Sequence, residues 1–230
     1  MKKTVLILLA LMFTCQAFAA EISGLVTSRY LNRKIKKLVL LRDAQVVTKY
    51  QFDESGNVLE MSGEKVTGRS LALNSNGRRA AELSLEDGML NGRCTFYFLD
   101  GTRESEFMYQ NNKQNGPYRI FYDTGILQQE GTLKSYTLKS EYSRAKQSNR
   151  PDMEVKTRKN LPWRLLQTRD DLILLDLIAD LEYSKPEGEV RTYGRDGRLE
   201  YIDVYLDGQL KAIKYFSPSG ALIKEVEIEG

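Results

Sequence analysis

Carboxylates are the residues of this sequence that could do acid–base chemistry, because the 230-residue chain contains no histidine. Nucleophilic sites and metal sites that depend on histidine are therefore excluded. Glu104 and Glu106 stand two residues apart in a predicted strand, so both should point to one face. Two carboxylates about 5 to 10 Å apart can hydrolyse a glycosidic bond. Alternating charge is also the ordinary pattern of a solvated strand face, and we expect no catalytic residue, cofactor or metal site.

The first twenty residues have the pattern of a secretory signal peptide. Lys2 and Lys3 precede an apolar run at 4–14 that is too short to span a bilayer, and small residues follow. We expect cleavage after Ala19, with Ala20 as the alternative position, and export as a soluble, periplasmic protein. Lipidation of Cys15 is the alternative, which the residues before this cysteine disfavour.

Cleavage changes both the charge and the cysteine content of the chain. It leaves 32 basic and 31 acidic residues, which is not the strongly basic character of a nucleic-acid-binding domain. Cys94 then remains without a partner for an internal disulfide, so packing must hold the domain together. Because Cys94 lies in an apolar strand, we expect a small buried side chain in preference to a reactive thiol.

The structural elements that position Glu104, Glu106 and Cys94 are repeats. Glycines recur in pairs nine residues apart, at Gly68 and Gly77, Gly92 and Gly101, Gly116 and Gly125, and Gly188 and Gly197. The residue four before the second glycine is large and apolar in six units: Phe52, Leu73, Tyr97, Phe121, Tyr193 and Phe216. Each unit predicts a strand, a tight turn and a strand. We expect a meander of antiparallel hairpins with these six side chains in its core.

The best units, at 91–101 and 115–125, resemble the MORN-variant repeat, roughly Gly-x-x-x-x-Tyr-Tyr-x-x-Gly. The chain is thereby similar to the YwqK family of toxin–antitoxin antitoxins. The likeness is strong over 66–133, fair over 187–230 and weak before 66. It implies an open, MORN-like sheet without enzymatic activity and an antitoxin or immunity role, in which the sheet occludes a toxin.

A long interruption separates the central repeats from the last ones. Residues 139–159 are basic, and Leu174, Leu177 and Leu181 share one face of a predicted helix at 168–183. The expected fold is mainly β, with one inserted α-helix. The expected organisation is a signal peptide at 1–19, degenerate hairpins at 20–65, repeats at 66–133, an insertion at 134–187 and C-terminal repeats at 188–230.

Two surfaces are candidates for binding. Phe96, Phe98, Tyr118, Ile120 and Tyr122 flank the large repeat positions and should point to the opposite face, which makes the middle of the sheet apolar on both sides. Such a face must be covered, either by the predicted helix or by a partner.

The second surface is basic. Arg33, Lys34, Lys36 and Lys37 precede an apolar run at 38–41. They could contact anionic lipid headgroups or phosphate. Alternatively, they guard the edge strand of a sheet against pairing with other chains.

Three functions follow from these patterns. The leading one is an exported, non-enzymatic β-repeat module of the antitoxin or immunity type that binds another protein through its sheet. The second is an envelope-associated scaffold that contacts membrane or cell wall. The third is an enzyme that acts on wall polysaccharide through Glu104 and Glu106. We expect no nucleic-acid partner.

Overall fold

A computed structural model describes residues 22–137 and 182–228, and these form a single sheet of fifteen strands. The strands are β1 (Ser23–Arg29), β2 (Ile35–Arg42), β3 (Gln45–Phe52), β4 (Val58–Gly63), β5 (Gly68–Leu73), β6 (Arg79–Glu86), β7 (Met89–Leu90), β8 (Gly92–Tyr97), β9 (Arg103–Gln110), β10 (Lys113–Phe121), β11 (Leu127–Thr137), β12 (Glu182–Tyr193), β13 (Leu199–Leu206), β14 (Gln209–Phe216) and β15 (Leu222–Glu227). Their spatial order is β15-β14-β13-β12-β11-β10-β9-β8-β6-β5-β1-β2-β3-β4, and β7 pairs with β6 beside this path.

The same five-residue turn closes all six predicted units. In the third unit, the Phe98 N–H donates to the Thr102 carbonyl (2.8 Å) and the Gly101 N–H donates to the Phe98 carbonyl (3.0 Å). Equivalent pairs of bonds close the turns at 53–57, 74–78, 122–126, 194–198 and 217–221. The glycine in each turn has a φ between 77° and 93°, which side chains disfavour. The predicted alignment of the six units is confirmed.

A seventh turn of this kind lies at 30–34 and was not predicted. Its hydrogen bonds join Tyr30 to Lys34 and Arg33 to Tyr30, with Arg33 at a φ of 69° in the position of the glycine. The Asn32 side chain accepts from the Lys34 N–H (3.1 Å), as Asn76 does from Arg78 (3.0 Å). The asparagine one residue before the expected glycine was therefore the available sequence signal.

The N-terminal strands fold back on the central ones. β1 pairs with β5 in parallel, and β4 at the end of the path is tied to the β9–β10 turn by a hydrogen bond from the Val58 N–H to the Asn112 carbonyl (3.2 Å). β1–β9 thereby form a roll, one face of which is enclosed and forms the core. Inside this roll, the Tyr50 hydroxyl donates to the Gly88 carbonyl (2.6 Å).

The core does not extend evenly along the repeats. Its buried cluster is drawn from the chain between Val26 and Tyr109. Of the six large repeat positions, Phe52 and Tyr97 are buried, whereas Leu73, Phe121, Tyr193 and Phe216 are half-buried. The expectation of six core side chains is confirmed for Phe52, which belongs to the buried cluster, whereas Tyr97 is buried outside it and donates to Glu82 (2.8 Å).

The predicted fold class is correct in being mainly β and wrong in its inserted helix. No helix occurs in the part of the chain that the structure describes. Glu182 and Tyr183, the last two residues of the predicted helix, belong to β12 and pair with Thr137 and Tyr136. Pairing with β11 satisfies their backbone groups in the extended conformation. Residues 168–181 and the predicted signal peptide lie outside the described residues.

The sheet also differs from the predicted antiparallel meander. The β1–β5 pair is parallel, so the sheet is mixed. The predicted insertion begins and ends in strand, because β11 continues to Thr137 and β12 starts at Glu182. β1 is the direct neighbour of β5 in the sheet although β2–β4 lie between them in the sequence, so this parallel pair joins the N-terminal strands to the central repeats.

Cys94 is expected to be unreactive in the folded protein. Its side chain is fully buried, and desolvation raises the pKa of the thiol to about 12. A thiol-specific colorimetric reagent at pH 8 should label the mature native protein slowly and the same protein in denaturant fully, because the thiolate is the nucleophile. Rapid labelling without denaturant would show that this core is open.

Candidate functional site

The predicted apolar surface is largely a continuation of the core. The Phe96 and Phe107 rings pack against the core cluster, with their centroids 6.4 Å apart. Tyr118 is buried and stacks on Phe107 at 5.8 Å. Ile120 pairs with Ser105 on the same face and is half-buried. The N-terminal roll covers part of this face.

Phe98 and Tyr122 occupy the repeat turns. The Tyr122 hydroxyl donates to the Tyr193 carbonyl (2.9 Å), and the Arg195 guanidinium lies 4.9 Å from the centroid of the Tyr122 ring. Phe98 begins the turn between β8 and β9 and is half-buried. Tyr122 thus joins successive repeats, and contact of these aromatic side chains with a partner stays a prediction.

The two carboxylates of the polysaccharide hypothesis do not share a site. The β8–β9 register shifts between Phe96 and Tyr97, so Glu104 is the extra residue of a bulge. Glu104 lines a cavity beside Phe96, where burial raises its pKa and the charges of Arg29 and Lys34 oppose this shift. Glu106 lines a different cavity and forms an ion pair with Arg103 (3.2 Å). The expectation of a common face is wrong because the bulge breaks the alternation.

The basic residues lie near the N-terminal end of the described chain. Arg33 and Lys34 are exposed in the seventh turn and Lys37 is exposed on β2, whereas the Lys36 ammonium lies 5.2 Å from the Tyr30 ring centroid. β2 pairs with β1 on one side and β3 on the other. The guarded-edge interpretation is therefore wrong, and contact with an anionic surface stays a prediction.

The most regular charged feature is one that we did not predict. Residues that face one another across β9–β15 form a row, which we call the charge row: Glu106, Arg119, Glu130, Arg191, Ile202, Lys214 and Glu225. Ile202 apart, acid and base alternate from strand to strand. Opposite charges that face each other across strands stabilise a sheet.

Two ion pairs join neighbours within this row. The Arg119 Nε lies 3.3 Å from a Glu130 carboxylate oxygen, and the Lys214 Nζ lies 3.9 Å from that of Glu225. Arg191 is paired with Glu189, which also approaches Lys214 (4.0 Å). Arg119, Glu130, Arg191, Lys214 and Glu225 thus each have an ion-pair partner on this face.

The sequence did contain a signal for the charge row. Arg119 and Arg191 each stand three residues after the first glycine of their units, and Lys214 stands three after Lys211, which replaces that glycine. The other members, Glu106, Glu130, Ile202 and Glu225, each stand nine residues after the large repeat position. A search of the repeats for charge at fixed positions would have found them.

A cavity of about 350 Å³ lies on the same face, over β8–β12. Its charged lining comprises Arg93, Glu106, Arg119, Glu130, Glu189 and Arg191. Met108, Pro117 and Thr132 add less polar surface. Three cations and three anions make the lining neutral. It therefore offers both hydrogen-bond donors and acceptors to a bound side chain or backbone segment.

Other kinds of site were also sought in residues 22–137 and 182–228. No group of cysteine and carboxylate side chains there is arranged to hold a metal ion. Within the same ranges, no helix has the length and apolar character needed to cross a membrane.

Comparison with known proteins yields one family match. The profile of the MORN repeat variant matches residues 114–135, which cover the β10–β11 hairpin and include Arg119 and Glu130 of the charge row. No curated protein matches the chain. The MORN repeat variant and the repeated sheet around it indicate a repeat-based binding module.

Proposed function

We propose that this protein is an exported, non-enzymatic module of the antitoxin or immunity type, which binds another protein through the face that carries the charge row. The observation behind this proposal is the row itself. Its ion pairs are held by the strand ladder, and ordered charges of both signs give specificity towards a complementary protein surface.

The architecture around the row supports this role. Among the described residues, β13, β14 and β15 make extensive contacts only with their sheet neighbours, and Ile202 is the buried member of the row. The rolled core of β1–β9 anchors this part of the sheet. A preformed surface loses little conformational freedom on binding, which favours affinity.

The charge pattern favours a protein over a nucleic acid. A phosphate backbone presents one sign of charge and is bound by a surface of uniformly basic character. The charge row alternates in sign, and the chain after the expected cleavage is almost neutral. A protein surface with interspersed acids and bases is the complementary partner.

Crosslinking capture with a charge-reversal variant tests this proposal. The bait is the chain from Ala20, exposed to an envelope fraction. We expect one dominant partner at stoichiometric yield, and more than about a tenfold loss of its capture by Arg191→Glu, which would set a carboxylate between Glu130 and Glu189.

Arg198→Glu is the matched control for this capture. Arg198 is an exposed arginine in a repeat turn, close to Asp196 (3.7 Å) and outside the charge row. Its reversal should leave capture unchanged. Capture is compared under conditions in which circular dichroism shows both variants to be folded, because the like charges around residue 191 should lower the stability of Arg191→Glu. Equal capture by the two variants would contradict the proposed use of this face.

An envelope scaffold is the second candidate, favoured by the joint exposure of Arg33, Lys34 and Lys37. It requires binding to vesicles that contain anionic phospholipid. This binding should weaken with salt and disappear when Lys34, Lys36 and Lys37 are changed to glutamine. Recovery of only lipid or wall material in the capture experiment would support this function over the first.

A further inference from the structure

The two ends of the sheet differ in their accessibility. At one end, β4 is held against the β9–β10 turn by the hydrogen bond between Val58 and Asn112. At the other end, β15 pairs only with β14 among the described residues. Leu222 and Ile223 of β15 are 53% and 65% exposed. An edge strand of this kind can accept a further strand.

The charge row ends at this edge with an acid. Lys214 on β14 faces Glu225 on β15, and alternation along the row would place a cation opposite Glu225 on the next strand. Glu227 lies two residues on, and its side chain shares the face of Glu225. Val226 pairs with Ile213 on the opposite face. The edge therefore has an acidic face, and its opposite face carries Lys224 and Val226.

We propose that β15 accepts a β-strand from a partner protein, with Lys or Arg opposite Glu225 and Glu227 and an apolar side chain opposite Val226. Strand addition of this kind takes its affinity from main-chain hydrogen bonds and its specificity from alternate side chains. This inference rests on the proposed function, because it names how part of the partner would be held.

A second copy of this chain fits the edge poorly. In an antiparallel two-fold pair of β15 strands, the acidic faces of both copies lie on the same side of the sheet, so Glu225 of one copy would meet a carboxylate of the other. Like charges placed opposite each other destabilise a strand pair. The chemistry of β15 thus favours a strand of opposite charge.

Two synthetic heptapeptides test the edge directly against the full mature chain. One alternates lysine with valine and the other alternates glutamate with valine, both with blocked termini. We expect the lysine peptide to bind about tenfold more tightly or better by calorimetry, and to slow amide hydrogen exchange in β15. The double variant Glu225→Lys/Glu227→Lys should reverse this preference.

Glu200→Lys is the control variant, because Glu200 is an exposed carboxylate outside β15 and the charge row. It should retain the wild-type preference for the lysine peptide. Equal binding of the two peptides, protection of strands other than β15, or an unchanged preference in the double variant would overturn the inference. Self-association through β15 in sedimentation experiments would overturn it in favour of a second copy.

The edge inference and the proposed function can fail separately. If Arg191→Glu abolishes capture of a partner while neither peptide binds β15, the charged face functions without strand addition. If the lysine peptide binds as expected while capture is insensitive to Arg191→Glu, the edge accepts strands and the proposed use of the charge-row face fails.

Discussion

Replacement of Phe52 by alanine is expected to lower the free energy of unfolding by about 3–5 kcal/mol. The Phe52 side chain is 1% exposed, and its ring centroid lies 6.2 Å from that of Tyr50. The enclosed roll leaves little room for neighbours to fill the space that the ring would vacate. Urea denaturation of the mature protein, followed by circular dichroism, measures the change.

Phe216 provides the matched comparison, because it occupies the same repeat position in the last unit. It is half-buried on β14, so Phe216→Ala should cost about 1 kcal/mol. The difference between the two variants would come from the roll and not from the repeat motif. Equal losses would mean that the core runs through all the repeats, contrary to the described packing.

The second large effect is expected where β1 meets β5. A Cβ atom at Gly24 would lie 2.7 Å from the Cβ of Ala72 and 2.9 Å from its Cα. Neither atom can move without shifting a strand. Gly24→Ala should therefore lower the free energy of unfolding by about 1–3 kcal/mol, the usual cost of overpacking, in the same urea experiment.

Gly194→Ala is a close control for this substitution. Its new Cβ would meet the Glu200 and Asp196 carboxylate oxygens at 2.7 and 2.9 Å, which are the mobile ends of side chains. The Glu200 carboxylate can turn into solvent, whereas Asp196 Oδ1 would have to give up its hydrogen bond from the Arg198 N–H (3.0 Å), so we expect a smaller loss of about 0.5–1 kcal/mol. A Gly24→Ala variant as stable as this control would show that the parallel pair is not closely packed.

The roll and the charge row occupy largely different parts of the sheet, and this separates the stability effects from the proposed function. Phe52 and Gly24 lie in the roll, away from the charge row on β9–β15. Conservative substitutions in the roll that leave the protein folded should therefore leave partner capture intact. Stability and binding can be measured as separate properties of one chain.

Interactions between residues close together in the sequence explain how much of the fold could be predicted from it. A glycine at positive φ, with an adjacent asparagine or aspartate in four of the six turns, acts within a few residues, so the six turns were readable from spacing alone. The seventh was missed because Arg33 adopts the glycine conformation. The predicted helix extended into β12 because the periodicity at 168–183 gives no information about pairing with Tyr136 and Thr137.

The residues of the candidate site show the same limit to what the sequence predicts. Arg119 and Glu130 recur at fixed repeat positions, yet their contact depends on strand register. Glu104 and Glu106 looked like neighbours on one face until a bulge separated them. A shift of one residue moves a side chain to the opposite face, and spacing within a single strand cannot reveal such a shift.

The sequence by itself determined that this chain forms hairpin repeats, where each turn occurs and which large side chain precedes it, because these depend on interactions within a single unit. Only the tertiary structure decided that β1 pairs with β5, that the core belongs to the N-terminal part of the sheet, and that seven distant residues align as the charge row. Those features depend on contacts between units, and such contacts are specified by the packing of the whole sheet.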